Sequence, residues 1–398
     1  MKRINLITAA TCFAVLCAFT FFYQLRWGNS FTGPLKVGFI YENDGTAPYS
    51  YNFALAETAL EDKYGEKVEI LSKSNVLEAE AEIPICELAH QGCRIIFTNS
   101  HSGDFYEMAS AYPEIQFCQV SWGGEKTEDL PDNYHTFNGE IYQGRYVSGI
   151  AAGMKLRELI DKGVITPEEA VVGYVGSYSS SYVISGYTAF LLGVRSVAPE
   201  AVMRVRYTHS WSNFILEKDC ARSLIEEGCV LLSHHTGTIG PAAACEEAAE
   251  GRGRRIYFIG YNESMIYDAP TCAITSTGID WRPYIVGAVG ALLDNSAIEK
   301  TVPGSVHGQD MSAGFDRGWV RMFELNTRVA APGTREAMDE AAKALAKGRL
   351  KVFEGSYTGT DPDDPDDRID LSSGYTENAR SSSPDFHYVL DGVITVEN

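Results

Sequence analysis

The sequence has no basic surplus: 33 lysines and arginines stand against 53 aspartates and glutamates, a formal net charge of -20. A phosphate backbone is gripped by a basic stripe, and none is present, so nucleic acid is not an expected partner. CxxC pairs are absent, as is any cysteine beside a histidine at metal-ligand spacing, so no zinc site is expected. The glycine-rich cradle of a dinucleotide site is also missing, because the turn after Tyr41 reads ENDGTAPYS with a single glycine. Neither GxxxxGK[ST], GxSxG nor HExxH occurs, which removes the usual kinase, hydrolase and metalloprotease signatures. No catalytic residue, cofactor or metal is expected, and the chain does not read as an enzyme.

A chain of 398 residues with 45% hydrophobic and 11% aromatic content is globular, with roughly two or three domains. Lys2 and Arg3 precede an apolar run from Ile4 to Tyr23, the pattern of an export signal or a retained membrane anchor within residues 1–30. The flanking positive charge would keep that end in the cytoplasm and place the body outside, attached to the membrane or secreted after cleavage. Neither Cys12 nor Cys17 follows the small residue that an acylated lipoprotein cysteine requires. Most of the seven cysteines beyond this run sit beside apolar residues, where a free thiol packs as a small hydrophobe. Export would permit disulfides, with Cys86–Cys93 and Cys220–Cys229 the pairs to examine.

Strand-like and helix-like segments then alternate, which predicts an α/β fold of parallel sheets covered on both faces. The first series has strands at 35–41, 68–71, 94–99, 115–120 and 134–137. A second follows the helical run 141–161, with strands at 170–175, 202–207, 230–233, 255–261 and 272–276. Two doubly wound lobes result: 35–137 with about 275–302, and 138–274 with about 303–355. Residues 356–398 read as an acidic, polar extension. Its DPDDPDD run lacks the glycine and distal glutamate of a calcium-binding helix-loop-helix and reads as a solvated turn.

In open α/β sheets ligands bind at the carboxyl ends of the strands. There this chain carries mostly neutral polar groups and aromatics, beside one carboxylate: Asp44, Tyr49 and Asn52 after the first strand, Asn99 and Ser100 after the third, and Trp122 after the fourth. The second lobe adds Trp211, the pair His234-His235 and Asn262, and Trp281 opens a later helix. Aromatic rings stack a planar ligand, while amides and hydroxyls read its edge. General acid–base chemistry would fall to Asp44, Asp104 or Glu263, for want of a better placed group.

Several phrases, in order from Lys36 to Leu293, resemble the basic membrane protein family of ABC transporter solute-binding proteins. They are KVGFIY before Tyr49-Ser50-Tyr51-Asn52, IIFTNS with AYPEIQF, GRYVSGIAAG, VVGYVG, GYTAFLLGVRSVAPEA, IGYN and TSTGIDWRPYI. The resemblance implies a type I periplasmic-binding fold whose two lobes close on a small ligand and deliver it to an ABC permease. It is similar to the branch associated with purine bases and nucleosides. Tyr49 stands where that branch carries a tryptophan, Trp211 and Trp281 match later ones, and Asn262 occupies a position that is often aspartate. The implied ligand shell is Asp44, Tyr49, Asn52, Asn99, Ser100, Trp211, Asn262 and Trp281. A tethered sensor with the same fold, or a nucleoside-processing enzyme, are the alternatives.

Overall fold

A computed structural model describes residues 33–44, 47–100, 103–123, 129–251 and 255–397, so the expected amino-terminal anchor or signal lies outside the described residues. Among these, no helix is long and apolar enough to cross a membrane.

The first lobe is built on β1 (Leu35–Ile40), β2 (Val68–Lys73), β3 (Ile95–Thr98), β4 (Gln116–Val120) and β5 (Tyr134–Gly139). The second is built on β6 (Val171–Gly176), β7 (Val202–Tyr207), β8 (Leu231–His235), β9 (Tyr257–Tyr261) and β10 (Ala273–Ile279). Both cores run in the order second, first, third, fourth, fifth, with every neighbour parallel. The central strands β3 and β8 are buried throughout, β3 as the apolar run IIFT expected of a strand covered on both faces, β8 with a polar carboxyl end at Ser233, His234 and His235. In each lobe the order reverses beside the first strand, the switch point where a crevice opens.

Helix α1 (Pro48–Tyr64) packs on the first lobe. So does α8 (Arg282–Leu293), where Tyr284 stacks on Phe137 with ring centroids 3.8 Å apart. Helices α4 (Ile141–Asp161) and α5 (Ser181–Arg195) pack side by side on the second sheet. Between them in chain order come α2 (Glu82–His90) and α3 (Gly103–Ala111), then α6 (Phe214–Glu226) and α7 (Gly240–Glu246).

The chain crosses between lobes three times, and the crossings touch. A Cβ on Gly139 would stand 2.7 Å from the Ile279 side chain and 3.1 Å from the Trp319 carbonyl oxygen. The Asp280 amide donates to Trp319 O at 2.7 Å, and the Glu140 amide to Ala313 O at 2.9 Å. Three adjacent strands of backbone held this way form a hinge.

Two features differ from the boundaries expected above. Strands β11 (Ser305–His307) and β12 (Asp310–Ala313) return to the first sheet, and only β13 (Val320–Met322) joins the second. β10, placed partly in the first lobe by that division, belongs wholly to the second sheet. Strands of three or four residues are too short for periodicity to say which sheet they extend. The carboxyl-terminal segment is likewise no free extension. Strands β14 (Thr358–Thr360), β15 (Arg368–Asp370) and β16 (Val389–Leu390) form a small sheet, and β17 (Ile394–Glu397) adds a parallel edge strand to β7.

That segment also ties the lobes together. Buried Glu377 accepts from the Ser185 hydroxyl at 3.0 Å and from the backbone amides of Asp385 and Phe386, and the Ser382 amide donates to Asp310 on β12 at 2.5 Å. Burial pushes the Glu377 carboxyl up to about 7, against the pull of those hydrogen bonds. A carboxyl whose folded value is raised binds its proton more tightly in the native state, so its contribution to stability is full below the unfolded value and is lost as pH rises towards 7. Between about pH 4.5 and 7 the wild type should therefore lose on the order of 2 kcal/mol that Glu377→Gln does not lose. Urea melts of both proteins across that window check this, and parallel pH profiles would refute it.

Candidate functional site

The carboxyl edges of the two sheets face one another across a cavity that opens to solvent. The first lobe supplies Glu42 and Asn43 from the turn after β1, Tyr49 from the opening of α1, and Trp122 from the end of β4. From the second come Tyr182 on α5, Trp211 and Ser212 after β7, His235 to Gly237 at the end of β8, and Tyr261 with Asn262 at the end of β9.

Trp122 is the hub of an aromatic cage. Its ring centroid lies 5.7 Å from Tyr49, 4.8 Å from Tyr182 and 5.5 Å from Trp211. The Tyr182 and Tyr261 hydroxyl oxygens are 3.3 Å apart. Burial drives the Tyr49 and Tyr182 hydroxyls well above the usual phenol range, so both remain protonated. His234 is pushed down to about 3 by burial and by the nearby Arg145 cation, and His235 falls well below its ordinary value for the same reasons. Both imidazoles are neutral at physiological pH. The cage thus offers π faces with neutral donors and acceptors, the chemistry of reversible capture.

Pro48 at the start of α1 pre-sets the helical turn that presents Tyr49. The Tyr49 hydroxyl donates to Asn99 O at 2.9 Å, which locks the ring against the sheet edge. On the other side, the anchor is Glu217, fully buried in the first turn of α6, where the helix dipole favours a carboxylate. It accepts from the Asn213 amide (2.9 Å), the Thr236 hydroxyl (2.8 Å), and the Thr238 amide (3.1 Å) and hydroxyl (2.6 Å). One side chain therefore holds the loop of Trp211 and Ser212 against the loop of Thr236 and Gly237, helped by the Gly237 amide donating to Trp211 O at 2.7 Å. Charge-assisted bonds are about twice as strong as neutral ones, so Glu217→Gln should destabilise the fold by about 1 kcal/mol and weaken ligand binding several-fold. A urea midpoint and a titration measure the two effects, and an unaltered affinity would show that the loops hold without the charge.

Of the residues selected from sequence, Tyr49, Trp211 and Asn262 line the cavity. Asn262 takes a left-handed backbone conformation (φ 69°), which asparagine tolerates better than most residues. Asn99 and Ser100 are buried one layer behind: Asn99 accepts from the Glu42 amide and donates to Ser50 Oγ, each at 3.1 Å, and the Ser100 amide donates to Thr98 Oγ1. Asp44 is exposed and outside the lining. Asn52 and Trp281 belong to the hinge. Asn52 Nδ2 donates to Ile279 O at 2.5 Å while its Oδ1 accepts from Arg321 at 2.7 Å, and buried Trp281 packs edge-on behind Tyr49 at 6.1 Å. Asp104 and Glu263 do not line the cavity either.

The sequence does not single out Glu42 or Tyr182, and it marks Tyr261 only as a strand-end residue. Trp122 and His235 were noted at strand ends without being placed in the ligand shell. Tyr182 falls in the apolar stripe of α5, where it looks like core. Glu42 looks like a solvated turn residue. The seven described cysteines outside the amino-terminal run are all free thiols, so neither candidate disulfide forms.

The fold resembles that of an ABC transporter solute-binding protein from Aeropyrum pernix, at 17% identity over 80% of this chain and 93% of that one, with a TM-score of 0.65. In sequence, a purine-binding protein of Brucella abortus is 30% identical over 81% of this chain and 83% of its own. A Haloferax volcanii protein provisionally named for glucose binding in an ABC transporter is 28% identical over 78% and 72%. The family model described as "ABC transporter substrate-binding protein PnrA-like" matches residues 38–349. With that match, and with two doubly wound lobes around an aromatic cavity, the chain belongs to the Bmp family of ABC transporter substrate-binding proteins.

Proposed function

We propose that this protein captures a purine, as base or nucleoside, by closing its lobes on the planar ring and presenting it to an ABC permease. The observation that carries this reading is the cage of Tyr49, Trp122, Tyr182 and Trp211, whose rings converge from both lobes on one cavity. Base–aromatic stacking is worth about 1–3 kcal/mol per ring contact and suits a flat heterocycle. The purine-binding relative supports the same ligand class. Closure draws on the triple crossing at Gly139, Ile279 and Trp319, a hinge of the kind two-lobed binders use. The apolar stretch at Ile4–Tyr23 would hold the protein at the outer face of the membrane.

A second, larger cavity, open to solvent, lies beyond Trp122, with Ser180, Ser181, Asn378 and Ser383 in its lining. Its serine and asparagine side chains would serve the hydroxyls of a sugar substituent on the ring, which favours a nucleoside over the bare base. Calorimetric titration with adenine, hypoxanthine and their nucleosides tests the reading, and heat on titration with any of them is the expected result. Heat with glucose but with none of the purines would instead assign the protein to the ligand class of its Haloferax relative.

A further inference from the structure

Behind the cage lies a cation that pairs with no carboxylate among the described residues. Arg145 on α4 is fully buried, and its guanidinium sits 3.6 Å from the Tyr261 ring centroid. Nη1 donates to His234 O at 2.8 Å, while Nε and Nη2 have no hydrogen-bond partner among the described residues. Its neighbour His235 lines the cavity, and both of its ring nitrogens are also without a partner. The arrangement depends on Gly186 of α5: a Cβ there would stand 2.8 Å from His235 Nδ1 and 3.7 Å from Arg145 Nε.

Bracing a strand end explains the hydrogen bond to His234 O, and a neutral donor would do that as well. A buried unpaired charge with idle donors is costly, so a fold that keeps one gains when something supplies acceptors or negative potential nearby. What adjoins this charge is the cavity floor. Its field acts on the Tyr261 hydroxyl and the His235 ring, and both residues line the cavity. Glu42 lines the opposite side, from the first lobe. The cavity is thus polarised, with a carboxylate on one wall and a cation under the other.

We propose that Arg145, acting through Tyr261 and His235, sets ligand preference by selecting a planar heterocycle that turns a ring carbonyl towards the second lobe. An analogue with an amino group at that edge would be disfavoured. Arg145 is then a positioning residue whose effect is read in selectivity, and the inference rests on the heterocycle reading above.

The test is calorimetry with hypoxanthine and adenine, which differ by a carbonyl and an amino group at one ring position. Wild-type protein should bind hypoxanthine tighter by roughly tenfold or more, because a site built to pair one polar edge rejects its alternative. Arg145→Met should bring the two affinities to within about threefold, and Arg145→Lys, which keeps the charge, should retain the preference. Should Arg145→Met not fold, Tyr261→Phe takes its place, removing the hydroxyl that Arg145 polarises, and the ratio should again fall. Equal affinities in the wild type, or a ratio unchanged in Arg145→Met or its substitute Tyr261→Phe, would overturn the proposal while leaving purine capture intact. Binding of neither purine would overturn both.

Discussion

Trp122→Ala is expected to lower ligand affinity roughly 100-fold, the largest loss from any single truncation in the cavity, in line with about 1–3 kcal/mol per stacked ring. The reason is its place at the centre of the cage. Its indole contacts Tyr49 from its own lobe and Tyr182 and Trp211 from the other. Removing it takes away one stacking face and the surface that spaces the remaining three. Tyr49→Ala should cost less, because part of what Tyr49 does is structural: its hydroxyl is committed to Asn99 O. Tyr49→Phe separates the two roles, keeping the ring and freeing the carbonyl. The fold should tolerate Trp122→Ala, since the indole is only partly buried at a strand end. Calorimetry with the tightest purine, beside a thermal melt of each variant, checks both halves of the expectation. An unchanged affinity in Trp122→Ala would move the ligand out of the cage altogether.

The architecture was legible because parallel strands covered on both faces announce themselves as short apolar runs. IIFT in β3 and VVGYVG in β6 are buried almost completely, and each is followed by turn residues. The strand ends were legible for the same reason, which is why Tyr49, Trp211 and Asn262 could be named. What could not be read was which strand-end residues meet, because that depends on how two lobes approach one another. Asn52 and Trp281 carry the right chemistry for a ligand shell, yet the crossing chains claim them. Asn52 satisfies the Ile279 carbonyl where the backbone leaves the second sheet, a need created only by the tertiary fold. Tyr182 shows the converse. On a helix whose every neighbour is buried, nothing local distinguishes a ring aimed at a ligand from one packed in the core. The tail was opaque for a simpler reason, since β16 has two residues and β17 four, and the register of β17 on β7 is set by contacts some 190 positions away.

The glycines of GRYVSGIAAG and FLLGV, which carried part of the family resemblance, have a physical role that yields the second large expectation. Along the seam between α4 and α5, a Cβ on Gly149 would stand 2.1 Å from Phe190 O, and one on Gly193 only 2.0 Å from Tyr146 O. Helix propensity alone predicts that Gly193→Ala stabilises the protein by up to about 1 kcal/mol. Packing predicts the opposite. The obstructing atom is backbone, so it cannot swing aside as a side chain would, and the two helices must separate along a seam buried on both sides. Overpacking of this kind costs about 1–3 kcal/mol and sometimes more, which outweighs the propensity gain. Gly193→Ala is therefore expected to lower stability by about 3 kcal/mol in urea melts, and equal or greater stability would refute the close-packed seam. The effect should reach the ligand as well. Helix α4 begins at the hinge and carries Arg145 beneath the cavity, so a helix pushed off its partner displaces both the crossing at Glu140 and the charge that polarises the site.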